Sequence, residues 1–119
     1  MIYIAGPYSH PDPLVRKQRY EAHASYLESR IKQKLTAYSP IVNFHAFAIK
    51  RNLPYSADYW ENINYTFLEQ CDELHVLEIK GLLESVGTYK EILHWLRIDQ
   101  GPIHFVRWMD LLKLGAPHG

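Results

Sequence analysis

Cysteine is all but missing from this chain. Cys71 stands alone among 119 residues, which excludes an intramolecular disulfide and a stapled secreted scaffold. An excess of charge is missing too: Lys+Arg and Asp+Glu both number 13, so no broad basic surface for nucleic acid is expected. Long apolar runs are absent. No segment approaches the roughly 20 apolar residues that span a bilayer, and Gly6-Pro7 breaks the one apolar N-terminal run, so no signal peptide is read. Metal-ligand spacing is absent as well, since the seven histidines form neither HExxH nor Cys/His pairs. No GK[ST] follows the glycines at 81 and 87, and Gly6-Pro7 does not continue as GxGxxG, which argues against a Walker loop or a dinucleotide cofactor. These absences point to a cytoplasmic chain with no metal, no cofactor and no membrane partner. There is no internal repeat and no low-complexity segment.

What is present is a globular composition, with 47% hydrophobic residues. Met1–Ala5 reads as a buried strand. Pro13 suits the first turn of a helix running to about Lys34, with Val15, Arg19/Tyr20, His23/Ala24, Leu27 and Ile31 recurring at three- and four-residue steps. Residues 35–39 read as a second strand ended by Pro40. A short helix is expected around Phe44–Ile49, and Ser56 is a candidate N-cap for a helix to about Cys71. In that helix Tyr59, Ile63, Thr66/Phe67 and Gln70 share one side. Residues 73–79 read as strand three, 87–99 as a helix and 103–106 as strand four. A short apolar helix is expected over Trp108–Leu112, followed by a frayed end at Gly115-Ala116-Pro117.

The alternation of strands and helices predicts an α/β three-layer sandwich. Its small parallel sheet has about four strands in the order 2-1-3-4, as in flavodoxin-like folds. The domain is expected over 1–106, with 107–119 a tail that can serve as an interface helix. Right-handed crossovers place the loops 6–12, 40–52 and 80–87 on one edge, where open α/β sheets bind small molecules. The last loop is the most informative. In Ser85-Val86-Gly87-Thr88-Tyr89-Lys90-Glu91, a hydroxyl, a glycine and a carboxylate meet where a strand gives way to a helix. The glycine is expected to let backbone approach a ligand, the helix start to favour anions, and Glu91 to point back toward the site. An ordinary reading of Glu91, as a glutamate that complements the helix dipole, competes with a catalytic one.

Several stretches together carry a resemblance: Ile4-Ala5-Gly6-Pro7-Tyr8-Ser9, Tyr38-Ser39-Pro40, Tyr59-Trp60, Cys71-Asp72-Glu73-Leu74, and Gly81-(x)3-Ser85-(x)-Gly87-(x)3-Glu91. In this order, over about residues 2–106, they resemble the DUF1937-type, nucleoside 2-deoxyribosyltransferase-like group, which is related to deoxynucleoside 5′-monophosphate N-glycosidases. The resemblance implies Glu91 as nucleophile on the anomeric carbon and Ser85 as a sugar or phosphate ligand. Serine rather than aspartate at 85 implies a 5′-phosphorylated substrate. It also implies a homodimer or larger homo-oligomer. Two positions depart from the pattern. Asn64 stands where the related enzymes carry an aspartate that handles the proton on the leaving base, and an amide cannot act as a general acid. Asn43 replaces the first of two histidines in the loop after strand two, and His45 matches the second.

Around this frame, Gly6, Pro7, Tyr8 and Ser9 form a loop able to hold a base, sugar or phosphate, Tyr8 by stacking and Ser9 with backbone amides. Arg16 and Arg19 lie near enough to the first helix start to reach a phosphate, and Arg19 is the candidate substrate contact. His45 is a candidate contact or acid, against a packed role beside phenylalanines. Asp58, Glu61 and Glu69 are the acids that can replace the missing aspartate. Tyr59 and Trp60 either close the pocket or fill the core, and His75, His94 and His104 read as structural. The expected function is cleavage of the N-glycosidic bond of a nucleotide or nucleoside, by hydrolysis or deoxyribosyl transfer. The rivals are a nucleotide-binding module without turnover and a hydrolase of NAD or another ribosyl nucleotide.

Overall fold

In a computed structural model, which describes residues 1–117, the expected sandwich is present. The elements are β1 (Ile2–Ala5), α1 (Pro13–Lys32), β2 (Ala37–Tyr38), α2 (Pro40–Lys50), α3 (Ala57–Leu68), β3 (Glu73–Leu77), a 3-10 turn at Leu82–Glu84, α4 (Val86–Ile98), β4 (Ile103–Val106) and α5 (Trp108–Lys113). All strand pairs are parallel, in the order β2-β1-β3-β4. Alternation along the strands divides the core. Ile2, Ile4 and Leu77 meet Ala22 and Tyr26 of α1 on one face. Tyr3, Ala5, Leu74 and Val76 meet Leu68 of α3 and Trp95 of α4 on the other.

Boundaries moved where side chains cap the backbone. Ser39 accepts from the Val42 amide at 3.2 Å, so α2 begins at Pro40 and absorbs part of the expected loop. Helix α1 stops at Lys32 because Lys34 takes the left-handed conformation at φ 61°. Strand β3 ends at Leu77, two residues early. Ser56 sits at the N-cap of α3 without a side-chain cap bond.

The side of α3 shared by Tyr59, Ile63 and Phe67 is its outer side: these three are exposed, and Trp60, Asn64, Tyr65 and Leu68 face inward. Polar residues turn inward because that side borders a cavity as well as the core. The end after α5 is not frayed through Ala116. Ala116 is buried, its amide bonds to the Leu111 carbonyl at 3.1 Å, and both residues join the core of the α1 face. Among the described residues, no helix is long and apolar enough to cross a membrane.

Candidate functional site

The C-terminal end of β1, the loop between β3 and α4, the starts of α3 and α4, and α2 border a cavity of about 520 Å³. Its wall over the β1–α1 loop is cross-braced. Ser9 Oγ donates to the Tyr55 carbonyl at 2.9 Å, the Arg16 guanidinium lies 4.2 Å from the Tyr55 ring centre, and Trp60 Nε1 donates to the Pro54 carbonyl at 2.8 Å. Trp60 also stacks on Phe44 at 4.9 Å, joining α2 to α3. Trp60 and Tyr55 therefore shape the cavity.

Glu91 lines this cavity from the second turn of α4. Its carboxylate accepts from the hydroxyl of Tyr3, a fully buried residue of β1. Burial pushes the Glu91 carboxyl up to about 7, against which the Tyr3 hydrogen bond pulls it down. Burial, together with the neighbouring carboxylate, holds the Tyr3 hydroxyl well above its ordinary range, so Tyr3 stays a proton donor to Glu91. A carboxylate that only complements a helix dipole sits in solvent; Glu91 does not. Replacing Tyr3 with Phe removes the donor that favours the charged form. The Glu91 midpoint, followed by NMR of labelled glutamate carboxyls, is then expected to rise by about 1–2 pH units. An unchanged midpoint would show that the hydrogen bond does not govern the charge.

Ser85 caps α4. Its Oγ accepts from the Thr88 amide at 3.3 Å and shares a hydrogen bond with Thr88 Oγ1 at 2.7 Å. This cap starts the helix at Val86 and sets the register that points Glu91 at Tyr3. Gly87 lies inside that helix, and its missing side chain has a packing reason: a Cβ there would come within 2.6 Å of Ala57 Cβ. The glycine lets the starts of α3 and α4 touch beside the cavity. Lys90 ties the same helices together by its ion pair with Asp58 at 3.3 Å.

Tyr8 and His45 meet across the cavity, the Tyr8 hydroxyl against His45 Nδ1, and Tyr20 stacks on the same imidazole at 4.6 Å. Burial, aided by Arg16, lowers the His45 pKa, which favours the neutral ring. Arg19 donates to the Ser9 carbonyl at 2.8 Å, and its guanidinium occupies the space that a side chain on Gly81 would fill. Gly81 has φ 99°, so glycine is suited there twice over. Asn64 lines the cavity, with its Oδ1 buried and without a hydrogen-bond partner.

The fold thus brings Gly6, Tyr8, Ser9, Arg19, His45, Asn64, Ser85, Gly87 and Glu91 to one cavity. Pro7 is not among its lining residues: it is buried, and its carbonyl lies 3.3 Å from Nε2 of the buried His23. Of the alternative acids, Asp58 lines the cavity. Glu61 faces Lys90 at 3.9 Å and Glu69 faces His94 at 3.1 Å. Sequence reasoning missed Tyr3, which lies 88 residues from Glu91 and looks like any strand aromatic. It also missed Glu84 and Thr88. The Ser-x-x-Thr spacing of a capping pair is the one signal that reaches Thr88. Among the described residues no group of three or more His, Cys, Asp or Glu is placed to hold a metal ion.

No curated protein matches the chain. A family model described as a domain of unknown function (DUF1937) matches residues 1–106, the stretch that carries every residue of the cavity wall named above. By that match the chain belongs to the DUF1937 family.

Proposed function

We propose that the cavity binds a nucleotide or nucleoside and that Glu91 cleaves its N-glycosidic bond. The observation that carries this reading is the Glu91 carboxylate in the cavity wall, held by the buried Tyr3 hydroxyl and titrating near neutrality. Glycosyl transfer passes through an oxocarbenium-like state that a carboxylate beneath the anomeric carbon stabilises and then captures. The resemblance to nucleoside 2-deoxyribosyltransferases and nucleotide N-glycosidases supports the same residue in the same role.

In the proposed reaction, a Glu91 oxygen forms a bond to C1′ as the C1′–N bond breaks. The bonding pair leaves with the base, which takes a proton from solvent. Water then attacks C1′ of the sugar ester, loses a proton to solvent, and restores the carboxylate. The net change is one nucleotide and one water to one base and one sugar phosphate. Tyr8 and His45 face the base. Asn64 orients it without supplying a proton. Arg19 and the amides at the start of α4 face the 5′ group.

Incubating the protein with deoxynucleoside and ribonucleoside 5′-monophosphates, with the free nucleosides and with NAD, and reading free base by chromatography, tests this. Base release from at least one is expected. The asparagine at 64 favours the second reading, a binding module without turnover. Thermal stabilisation by a nucleotide with no base released would select it, and neither binding nor release would end both readings.

A further inference from the structure

A second, smaller cavity of about 160 Å³ lies along α1. Gln18 and Arg19, Ile79 and Lys80, Trp108 and His10 are among its lining residues. Arg19 and His10 border both cavities, so the two adjoin along this wall. Their charges differ. Among the described residues, the main cavity carries three carboxylates, Asp58, Glu84 and Glu91, with Arg19 as its one Lys or Arg. Among the same residues the smaller cavity is lined by no Asp or Glu and offers Arg19, Lys80 and His10 with the amide of Gln18.

Arg19 is held in place with donors to spare. Its Nη1 is engaged by the carbonyls of Ser9 and Tyr8, whereas Nε and Nη2 have no acceptor among the described residues. Neither Arg19 nor Lys80 forms an ion pair of 4.0 Å or less among the described residues. Burial lowers the Arg19 pKa, and Glu84 opposes this through space by favouring the charged form.

We propose that the smaller cavity holds the terminal phosphate of a nucleoside diphosphate whose nucleoside end fills the main cavity, with Arg19 at the boundary between the two. This rests on the nucleotide reading above. A multiply charged tail kept wholly in the main cavity faces three carboxylates and one guanidinium. Passing Arg19 puts the outer phosphate among cations and away from those acids.

The test compares affinities by calorimetry for deoxynucleoside mono- and diphosphates of the same base, on the wild type and on Lys80→Ala. Lys80 is exposed, so its removal leaves the core untouched. The diphosphate is expected to bind about tenfold more tightly than the monophosphate. In Lys80→Ala that advantage is expected to fall to within about twofold, with monophosphate affinity unchanged. Equal affinity for both in the wild type would overturn the proposal and leave the nucleotide reading standing. So would a diphosphate advantage that survives the substitution. Failure of every nucleotide to bind would overturn the nucleotide reading and this proposal with it.

Discussion

Glu91→Gln is expected to lose base release by about 10³-fold or more and, at the same time, to make the protein more stable above neutral pH. The two effects share one cause. A glutamine keeps the shape of the side chain and accepts from the Tyr3 hydroxyl, but it supplies no anion to the anomeric carbon. The stability effect follows from where the carboxyl titrates: about 7 in the folded protein against 4.5 ordinarily. Between those values the folded chain keeps a proton that the unfolded chain has released. The stability contributed by that proton is fully present below about pH 4.5 and is lost as pH rises through about 7, a change on the order of 3 kcal/mol. Glutamine has no such loss. Its Tm advantage is expected to be near zero at pH 4 and roughly 5–10 °C at pH 8, measured by thermal melts across that range. A Tm difference that does not vary with pH would mean the carboxylate is solvated. Base release equal to wild type would remove Glu91 from the chemistry.

The second large effect is expected far from the cavity. Leu111 of α5 is fully buried against β1, β3 and α1, and Ala116 follows it into the same cluster. Leu111→Ala is expected to cost about 2–5 kcal/mol, a large share of the 5–15 kcal/mol by which a domain is ordinarily stable. Ending the chain after Val106 removes Trp108, Leu111 and Ala116 together and leaves Ile2, Ile4 and Leu77 partly uncovered. That truncated chain is expected to lose its cooperative thermal transition. The family match stops at residue 106, yet the core of this chain extends beyond it. A truncated chain melting at the wild-type temperature would show α5 to be an accessory to a domain complete without it.

Much of the fold was legible in advance because local signals and long-range packing agree. Apolar strands bounded by Gly6-Pro7, Pro40 and Gly101-Pro102, alternating with helical periodicity, leave few arrangements other than a parallel sheet in the order 2-1-3-4. In helix α3 periodicity reports which residues share a side, and not which side the domain buries. Tyr59, Ile63 and Phe67 look like a core stripe, yet Trp60, Asn64 and Tyr65 face inward. The short tail misled for a related reason, since its worth lies in the gap that it fills between α1 and the sheet.

The sequence by itself determined the parallel α/β frame, the edge of the sheet that carries the cavity, and the Ser85-to-Glu91 turn as part of its wall. Those follow from strand and helix periods, breakers and cap spacing, all of which act within a few residues. Only the tertiary structure decided that Glu91 is partly buried in the cavity wall and held by a hydroxyl, because its partner Tyr3 lies 88 residues away. Only packing decided that Gly87 serves the contact with Ala57, that Arg19 borders two cavities of different charge, and that Leu111 belongs to the core. Burial and through-space charge depend on neighbours that the chain brings together only once it has folded.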